Sequence, residues 1–270
     1  MAAGITLCGS LSRHAVSLGA AMHDAGYRAL GLRWHYVPFE VTDLAGALAG
    51  MRALGIRGFG ISMPFKIEIL ELLDELDPLA ARIGAVNTVV NEAGRLIGHN
   101  TDWIGAVRAL SEALSVEGAC VLVLGAGGAA RAVCHGLSDA GARVTISNRS
   151  SDRSEALARE IGAAHCAWEE RAHLEDFDAV INATSCGMLD ERASPLQETA
   201  LRSSLVVMDI VYKPLTTELV RSARAQGAVA IDGGRMLLHQ AARQFELYTG
   251  RTAPLAAMDA ALRAEIGSQI

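Results

Sequence analysis

The sequence predicts an α/β fold in two domains. Three observations carry this. Short apolar strands alternate with helical segments from Ile5 to Ile266, the pattern of parallel sheets covered by helices on both faces. With 270 residues, 51% of them hydrophobic, the chain can fill two ordinary cores. A glycine-rich turn at Gly125–Gly128 then starts the alternation afresh halfway along.

In the first third, Ile5 to Cys8 reads as a strand and Leu18 to Ala25 as a helix. Leu32 to Val37 alternates as a second strand. Thr42-Asp43 caps a helix to about Leu54, and Arg57 to Ser62 is a third strand. Met63-Pro64-Phe65-Lys66 turns that strand into another helix, and Asp77-Pro78 starts one more. Ala85–Asn91 and Arg95–Gly98 form a hairpin across Glu92-Ala93-Gly94. Asn100-Thr101-Asp102 opens a helix to about Leu114.

The second section places strands at Cys120–Leu124, Arg143–Ser147, Ala179–Asn182, Val206–Ile210 and Val229–Ile231, with helices between most of them. Thr216-Thr217 caps the helix Glu218–Gln226. The pattern is helical from Gly234 to Thr249, and a last helix spans about Leu255 to Ile266. The expected domains are residues 1–103 plus 234–270, and residues 104–233.

The run Val121-Leu-Val-Leu-Gly125-Ala126-Gly127-Gly128-Ala129-Ala130 is a strand entering a glycine turn and a helix. Such a βαβ unit seats a dinucleotide pyrophosphate on the helix N-terminus, which makes this half a Rossmann-type dinucleotide-binding domain. Gly125 permits the tight turn, Gly127 lets backbone approach phosphates, and Ala130 is small enough for close helix–strand packing. The next strand ends on Asn148-Arg149, with Arg153 following, where an NAD site carries a carboxylate. Two guanidiniums suit a 2′-phosphate, so the expected cofactor is NADP.

The net charge of −6 supplies no basic footprint for nucleic acid. No apolar run approaches membrane-spanning length, and no signal core is seen. Five scattered cysteines without a CxxC pair read as the reduced thiols of a cytoplasmic protein. The eight histidines lack metal-ligand spacing, so no metal is expected. Lysine is scarce: Lys66 and Lys213 stand against twenty-two arginines. Lys66 at a strand–helix turn is therefore a candidate for proton chemistry, and Asp102 at a helix start is a second. Capping alone also explains an Asp there.

Ser62-Met-Pro-Phe-Lys66, Ala85-Val-Asn87-Thr88, Asn100-Thr-Asp102, Gly125-Ala-Gly-Gly-Ala129, Asn148-Arg149, Asn182-Ala-Thr-Ser-Cys-Gly187-Met188 and Gln240-Ala-Ala resemble, in order, the motifs of the shikimate dehydrogenase family. The resemblance covers nearly the whole chain. It implies a two-domain enzyme of aromatic amino acid biosynthesis that interconverts 3-dehydroshikimate and shikimate, or a close cyclic hydroxy acid, with NADP(H). It implies that Lys66 and Asp102 form the catalytic pair, leaving open which carries the proton. Ser62, Asn87, Tyr212 and Gln240 match substrate-binding positions. Thr184, Ser185 and Gly233 join the glycine turn, Asn148, Arg149 and Arg153 on the cofactor side.

One segment departs from the family. Where typical members have Ser-x-Ser-Pro for the substrate carboxylate, this chain has Ala15-Val16-Ser17-Leu18. Ser17 remains, and Ser10 and Ser12 are alternative hydroxyls. Cys8-Gly9-Ser10-Leu11-Ser12 with Gly19 and His23, Arg52-Ala-Leu-Gly-Ile-Arg-Gly58 and Gln244-Phe-Glu-Leu-Tyr-Thr249 resemble a divergent, shikimate dehydrogenase-like branch. Quinate or aminoshikimate dehydrogenation, or cofactor binding without turnover, are the rival readings. The expected partner is a small molecule, with no nucleic acid or membrane, and the chain is expected as monomer or homodimer.

Overall fold

A computed structural model describes residues 4–14, 18–188 and 193–268. Ser17, with Ala15 and Val16, lies outside the described residues. Two compact units divide the chain: Met1–Thr101 with Gln240–Ile270, and Asp102–His239.

The first unit contains β1 (Thr6–Ser12), α1 (Leu18–Ala29), β2 (Trp34–Glu40), α2 (Leu44–Leu54), β3 (Gly58–Ile61), α3 (Phe65–Glu68), β4 (Glu75–Leu76), α4 (Pro78–Ile83), β5 (Thr88–Glu92) and β6 (Arg95–His99). Its sheet runs β2-β1-β3-β5-β6-β4. It is mixed. β5 and β6 pair antiparallel across the tight Glu92-Ala93-Gly94 turn, the hairpin that the sequence predicted, and β5 also runs antiparallel to β3, a pairing that the alternation of strands and helices did not suggest. Asp43 caps α2 by accepting from Gly46 N, and Asp77 caps α4 by accepting from Leu79 N, as their positions predicted.

The second unit contains α5 (Asp102–Ser111), β7 (Cys120–Leu124), α6 (Gly128–Asp139), β8 (Arg143–Ser147), α7 (Ser151–Ile161), β9 (Ala164–His165), β10 (Ala179–Asn182), β11 (Val206–Asp209), α8 (Glu218–Ala225) and β12 (Val229–Ile231). α9 (Gly233–Thr249) begins here and ends in the first unit, followed there by α10 (Leu255–Ser268). α5 stops short of Leu114, since Glu112 N and Ala113 N turn to the carbonyls three residues back, a tightened last turn.

All pairings of the second sheet are parallel, in the order β12-β11-β10-β7-β8-β9. Counted from β7, this is the doubly wound order 3-2-1-4-5-6, whose direction reverses between β7 and β10. Alternate residues of one strand feed opposite cores. Val121 and Val123 pack with Ala130, Val133 and Ala106, while Leu122 and Leu124 pack with Leu205, Leu219 and Ala223. A strand buried on both faces must be apolar throughout, which is why Val-Leu-Val-Leu reads so clearly.

Two of the divergent motifs meet in the first unit. Arg57 donates to the carbonyls of Tyr248, Asn91 and Leu247, at 2.8, 2.7 and 3.3 Å. A side chain at Gly58 would strike the Tyr248 ring at 2.2 Å. The Arg57-Gly58 and Leu247-Tyr248 pairs are thus a packing joint between β3 and the end of α9. The third motif surrounds Tyr36. His23 stacks on its ring at 4.4 Å, Gly19 leaves room beside the ring, and Ser10 hydrogen-bonds its hydroxyl.

Candidate active-site groups and cofactor cradle

The cradle of the second unit stands at its topological switch point. Gly125 ends β7 at φ +119°, a conformation that strains any other residue, and a Cβ there would lie 2.8 Å from Ala183 O. The loops leaving β7 and β10 therefore touch backbone to backbone. Gly127 and Gly128 are different: a Cβ on either would meet no protein atom within 4 Å. Their smallness serves no packing within the chain and leaves room over the start of α6. Gly127 is the N-cap and brings no side chain to the free N–H groups. An open helix start with unspent donors fits a pyrophosphate. Ala130 is fully buried against the sheet, in the packing role expected of it. Ala126 and Ala129 are half-buried.

Beyond β8, Asn148 Nδ2 donates to Ser150 O at 3.0 Å and shapes the turn into α7. Arg149 and Arg153 are exposed, and neither has a carboxylate partner among the described residues. Arg131, three residues beyond the glycine turn, instead pairs with Glu160 at 2.8 Å.

The Asn182–Met188 loop is held from below. Asn182 Oδ1 accepts from Thr184 N and Thr184 Oγ1, and Asn182 Nδ2 donates to Cys186 O and Asp209 Oδ1. Asp209 also accepts from Val211 N and Thr217 Oγ1. Burial pushes its carboxyl up to about 6 despite these three donors. Thr184 is thus internally bonded, while Ser185 and Tyr212 are exposed. Gly233 is buried, and a Cβ there would lie 2.4 Å from Val211 O. Its smallness is explained by packing of α9 against the exit of β11.

In the first unit, Lys66 sits in the first turn of α3, half-buried, behind exposed Ser62 and Met63 and beside buried Phe65. Its carbonyl accepts from Val86 N at 2.8 Å, joining this turn to the segment that carries Asn87 into β5. Asn87 is 2% exposed and its amide is used within the protein. Oδ1 accepts from Thr101 N at 2.7 Å and Thr88 Oγ1 at 2.8 Å; Nδ2 donates to Gln240 Oε1 at 3.2 Å. Thr101 directly precedes Asp102, the buried first residue of α5.

Gln244, one turn beyond Gln240 on α9, extends the network. Its Nε2 donates to Thr88 Oγ1 at 3.0 Å and Asn87 O at 3.2 Å. Its Oε1 faces buried His23 Nε2 at 3.5 Å. The sequence marks Gln244 only as the start of a divergent motif and assigns it no role, although its spacing of four from Gln240 puts both on one helix face. Ser10 and Ser12 are less open than expected. Ser10 is bonded to Tyr36, and Ser12 is 7% exposed and donates to His14 O at 2.7 Å.

No described helix is long and apolar enough to cross a membrane, and no described group of three His, Cys, Asp or Glu could hold a metal.

Three family models match the chain. They are the shikimate dehydrogenase substrate binding domain over residues 8–89, shikimate / quinate 5-dehydrogenase over residues 108–220, and the shikimate 5'-dehydrogenase C-terminal domain over residues 233–263. The chain is 45% identical over 236 residues to shikimate dehydrogenase (NADP(+)) of Pyrococcus furiosus, covering 87% of this chain and 86% of the relative. Among solved structures it matches shikimate 5-dehydrogenase from Thermus thermophilus in complex with NADP(H) and shikimate. That match has a TM-score of 0.89, with 37% identity over 96% of this chain and 99% of the other. The ligand-free 5-ketofructose reductase of a Gluconobacter species matches with a TM-score of 0.88, at 35% identity over 97% and 99%.

Proposed function

The chain belongs to the shikimate dehydrogenase family, and from that premise we propose that it is an NADP-dependent oxidoreductase interconverting 3-dehydroshikimate and shikimate. The observation that carries the reading is the bond from Val86 N to Lys66 O. It fixes the lysine turn to the segment leading into β5, whose next residue, Asn87, organises Thr101 and Gln240. A cation and a ring of amide and hydroxyl groups are thereby built into one frame, as a polyhydroxylated substrate requires.

NADP(H), when bound, supplies or accepts the hydride. The chain's own residues do the rest. The α6 N-terminus and the room over Gly127 and Gly128 hold the pyrophosphate. Arg149 and Arg153 grip the 2′-phosphate with charge-assisted bonds. The Lys66 ammonium donates to the reacting oxygen and stabilises negative charge as it develops there. Asp102, buried at the start of α5, is the second member of the proposed pair. Ser62, Gln240 and Tyr212 are proposed to orient the remaining substrate hydroxyls.

The test is a substrate panel followed at the nicotinamide absorbance, with NADP and NAD compared. Shikimate with NADP is expected to give the highest kcat/KM; a clear preference for quinate or aminoshikimate would reassign the substrate. A second reading is favoured by Ala15 and Leu18, where the family has serine and proline, together with the likeness to 5-ketofructose reductase. It is reduction of a neutral polyhydroxy ketone, and a sugar ketone belongs in the same panel.

A further inference from the structure

β1 and β3 run parallel, with Leu11 opposite Ile61, and Ser62 N donates to Leu11 O at 3.0 Å. The chain therefore leaves both strands at the same edge of the sheet. From β3 it enters Ser62-Met-Pro-Phe65-Lys66; from β1 it enters Arg13. The Arg13 guanidinium carbon lies 5.8 Å from the centre of the Phe65 ring. Phe65 is buried and Arg13 is exposed, so the cation rests on the rim of the turn that carries Lys66. The Ser12 hydroxyl closes the turn beneath Arg13 by donating to His14 O.

Two features combine at Arg13. It has no carboxylate partner among the described residues, whereas Arg52, Arg95, Arg131, Arg235 and Arg263 each have one. It is also directed, because an aromatic face beneath a guanidinium orients it while its N–H edges stay available. The Ser10 and Ser12 hydroxyls do not offer the same. The Ser12 proton is committed to His14 O, and Ser10 is held by Tyr36.

We propose that Arg13 recognises the carboxylate of a cyclic hydroxy acid whose reacting oxygen is held by Lys66. This rests on the proposed function, in which Lys66 marks the reacting end of the substrate. Arg13 reads the far end with a two-pronged donor, making up for the family serine that Ala15 replaces. The chain keeps its selectivity for an acid although Ala15 and Leu18 replace serine and proline.

The experiment compares shikimate with its uncharged carboxamide in the wild type, Arg13→Gln and Arg13→Lys, with NADP(H) binding and thermal unfolding measured alongside. The wild type should prefer the acid. Arg13→Gln should cut kcat/KM for shikimate by roughly ten- to a hundredfold, mainly through KM, and leave the carboxamide nearly unchanged. Arg13→Lys should recover part of the loss, as a charge without the fork. Calorimetric binding of the two compounds to the NADP-loaded protein reads the same preference without turnover. If the wild type oxidises shikimate and Arg13→Gln keeps the acid-to-amide ratio, Arg13 does not read the carboxylate, and the proposed function stands. If the wild type turns over the carboxamide as well as the acid, the carboxylate reading falls alone; if it turns over a sugar ketone in preference to shikimate, the proposed function falls with it.

Discussion

Asn87 Nδ2 donates to Gln240 Oε1 across 3.2 Å, joining residues 153 positions apart in the chain. Thr101 Oγ1 lies 3.4 Å from the same oxygen. The oxygen of the Gln240 amide is thus spent inside the protein, and its Nε2 protons are the part left to offer. Asn87, by contrast, spends both ends of its amide within the protein and acts as the frame that aims Gln240.

Gln240→Ala is therefore expected to raise KM for the substrate by about tenfold, the size of one neutral hydrogen bond, with a smaller change in kcat. Gln240→Glu keeps an acceptor for Asn87 but removes the donor, so it should weaken the substrate similarly without loosening the fold. Steady-state kinetics of both variants decide this, and an unchanged KM in Gln240→Ala would remove Gln240 from substrate contact.

Gln244→Leu should behave differently. It removes a donor from Thr88 Oγ1 and Asn87 O, which keep Asn87 Oδ1 and Ile61 N, and it strands His23 Nε2 in a buried setting, where an unpaired polar group costs about 1–3 kcal/mol. Urea unfolding should show a loss of about that size. A midpoint equal to wild type would mean the network is not mutually dependent.

How much of this was legible follows from how local each signal is. Cys120–Leu124, Arg143–Ser147 and Ala179–Asn182 were readable to the residue, because strands buried on both faces are short apolar runs bounded by turn residues. Asp43, Asp77 and Thr217 announced the helices that they cap. β4 and β9 have two residues each, too few to show a period. The antiparallel pairing of β3 with β5 depends on where the hairpin docks, which no local pattern states. The same holds for the site. Lys66 was visible as one of two lysines beside a proline turn, whereas the Ser12 bond to His14 O, the seat of Arg13 on Phe65 and the reach of Gln244 are facts of tertiary placement.

Lys66→Ala should lower kcat by two or more orders of magnitude while NADP(H) binding is retained, since its charge matters most as the alkoxide develops. Single-turnover kinetics isolate the chemical step. A folded variant that keeps more than about a tenth of the wild-type rate would exclude Lys66 from the mechanism.

Arg149→Ala should weaken NADP(H) by roughly ten- to a hundredfold and leave NAD(H) nearly unchanged, because only the former carries a 2′-phosphate for a charge-assisted pair. The asymmetry follows from the position of Arg149, exposed just past β8 and without a carboxylate partner among the described residues. Titration of both cofactors into wild type and variant checks it. Equal losses would show that Arg149 does not read the phosphate.

Asp209 gives the molecule a pH signature of known sign. Burial raises its carboxyl from 3.8 to about 6, against the opposing pull of Thr217, Val211 N and Asn182. A carboxyl with a raised folded pKa binds its proton more tightly in the native state than in the unfolded chain. Stability from this group is therefore gained as pH falls from about 6 toward 4, and lost as pH rises through about 6. Asp209→Asn cannot titrate, yet it can still accept from Asn182 and Val211 N. Relative to this variant, the wild type should gain on the order of 2–3 kcal/mol between pH 7 and pH 4. His23 pulls the other way, since burial lowers its imidazole to about 4. It is common to both proteins and cancels in the comparison. Denaturant unfolding of the pair across this range is the measurement, and a difference that stays flat would show that Asp209 keeps an ordinary carboxylate pKa in the fold. Asp209→Ala should lose about 3 kcal/mol at pH 7 by stranding three buried donors, and more as pH falls toward 4. It should also weaken NADP(H), because Asn182 would no longer be anchored beneath Thr184 and Cys186.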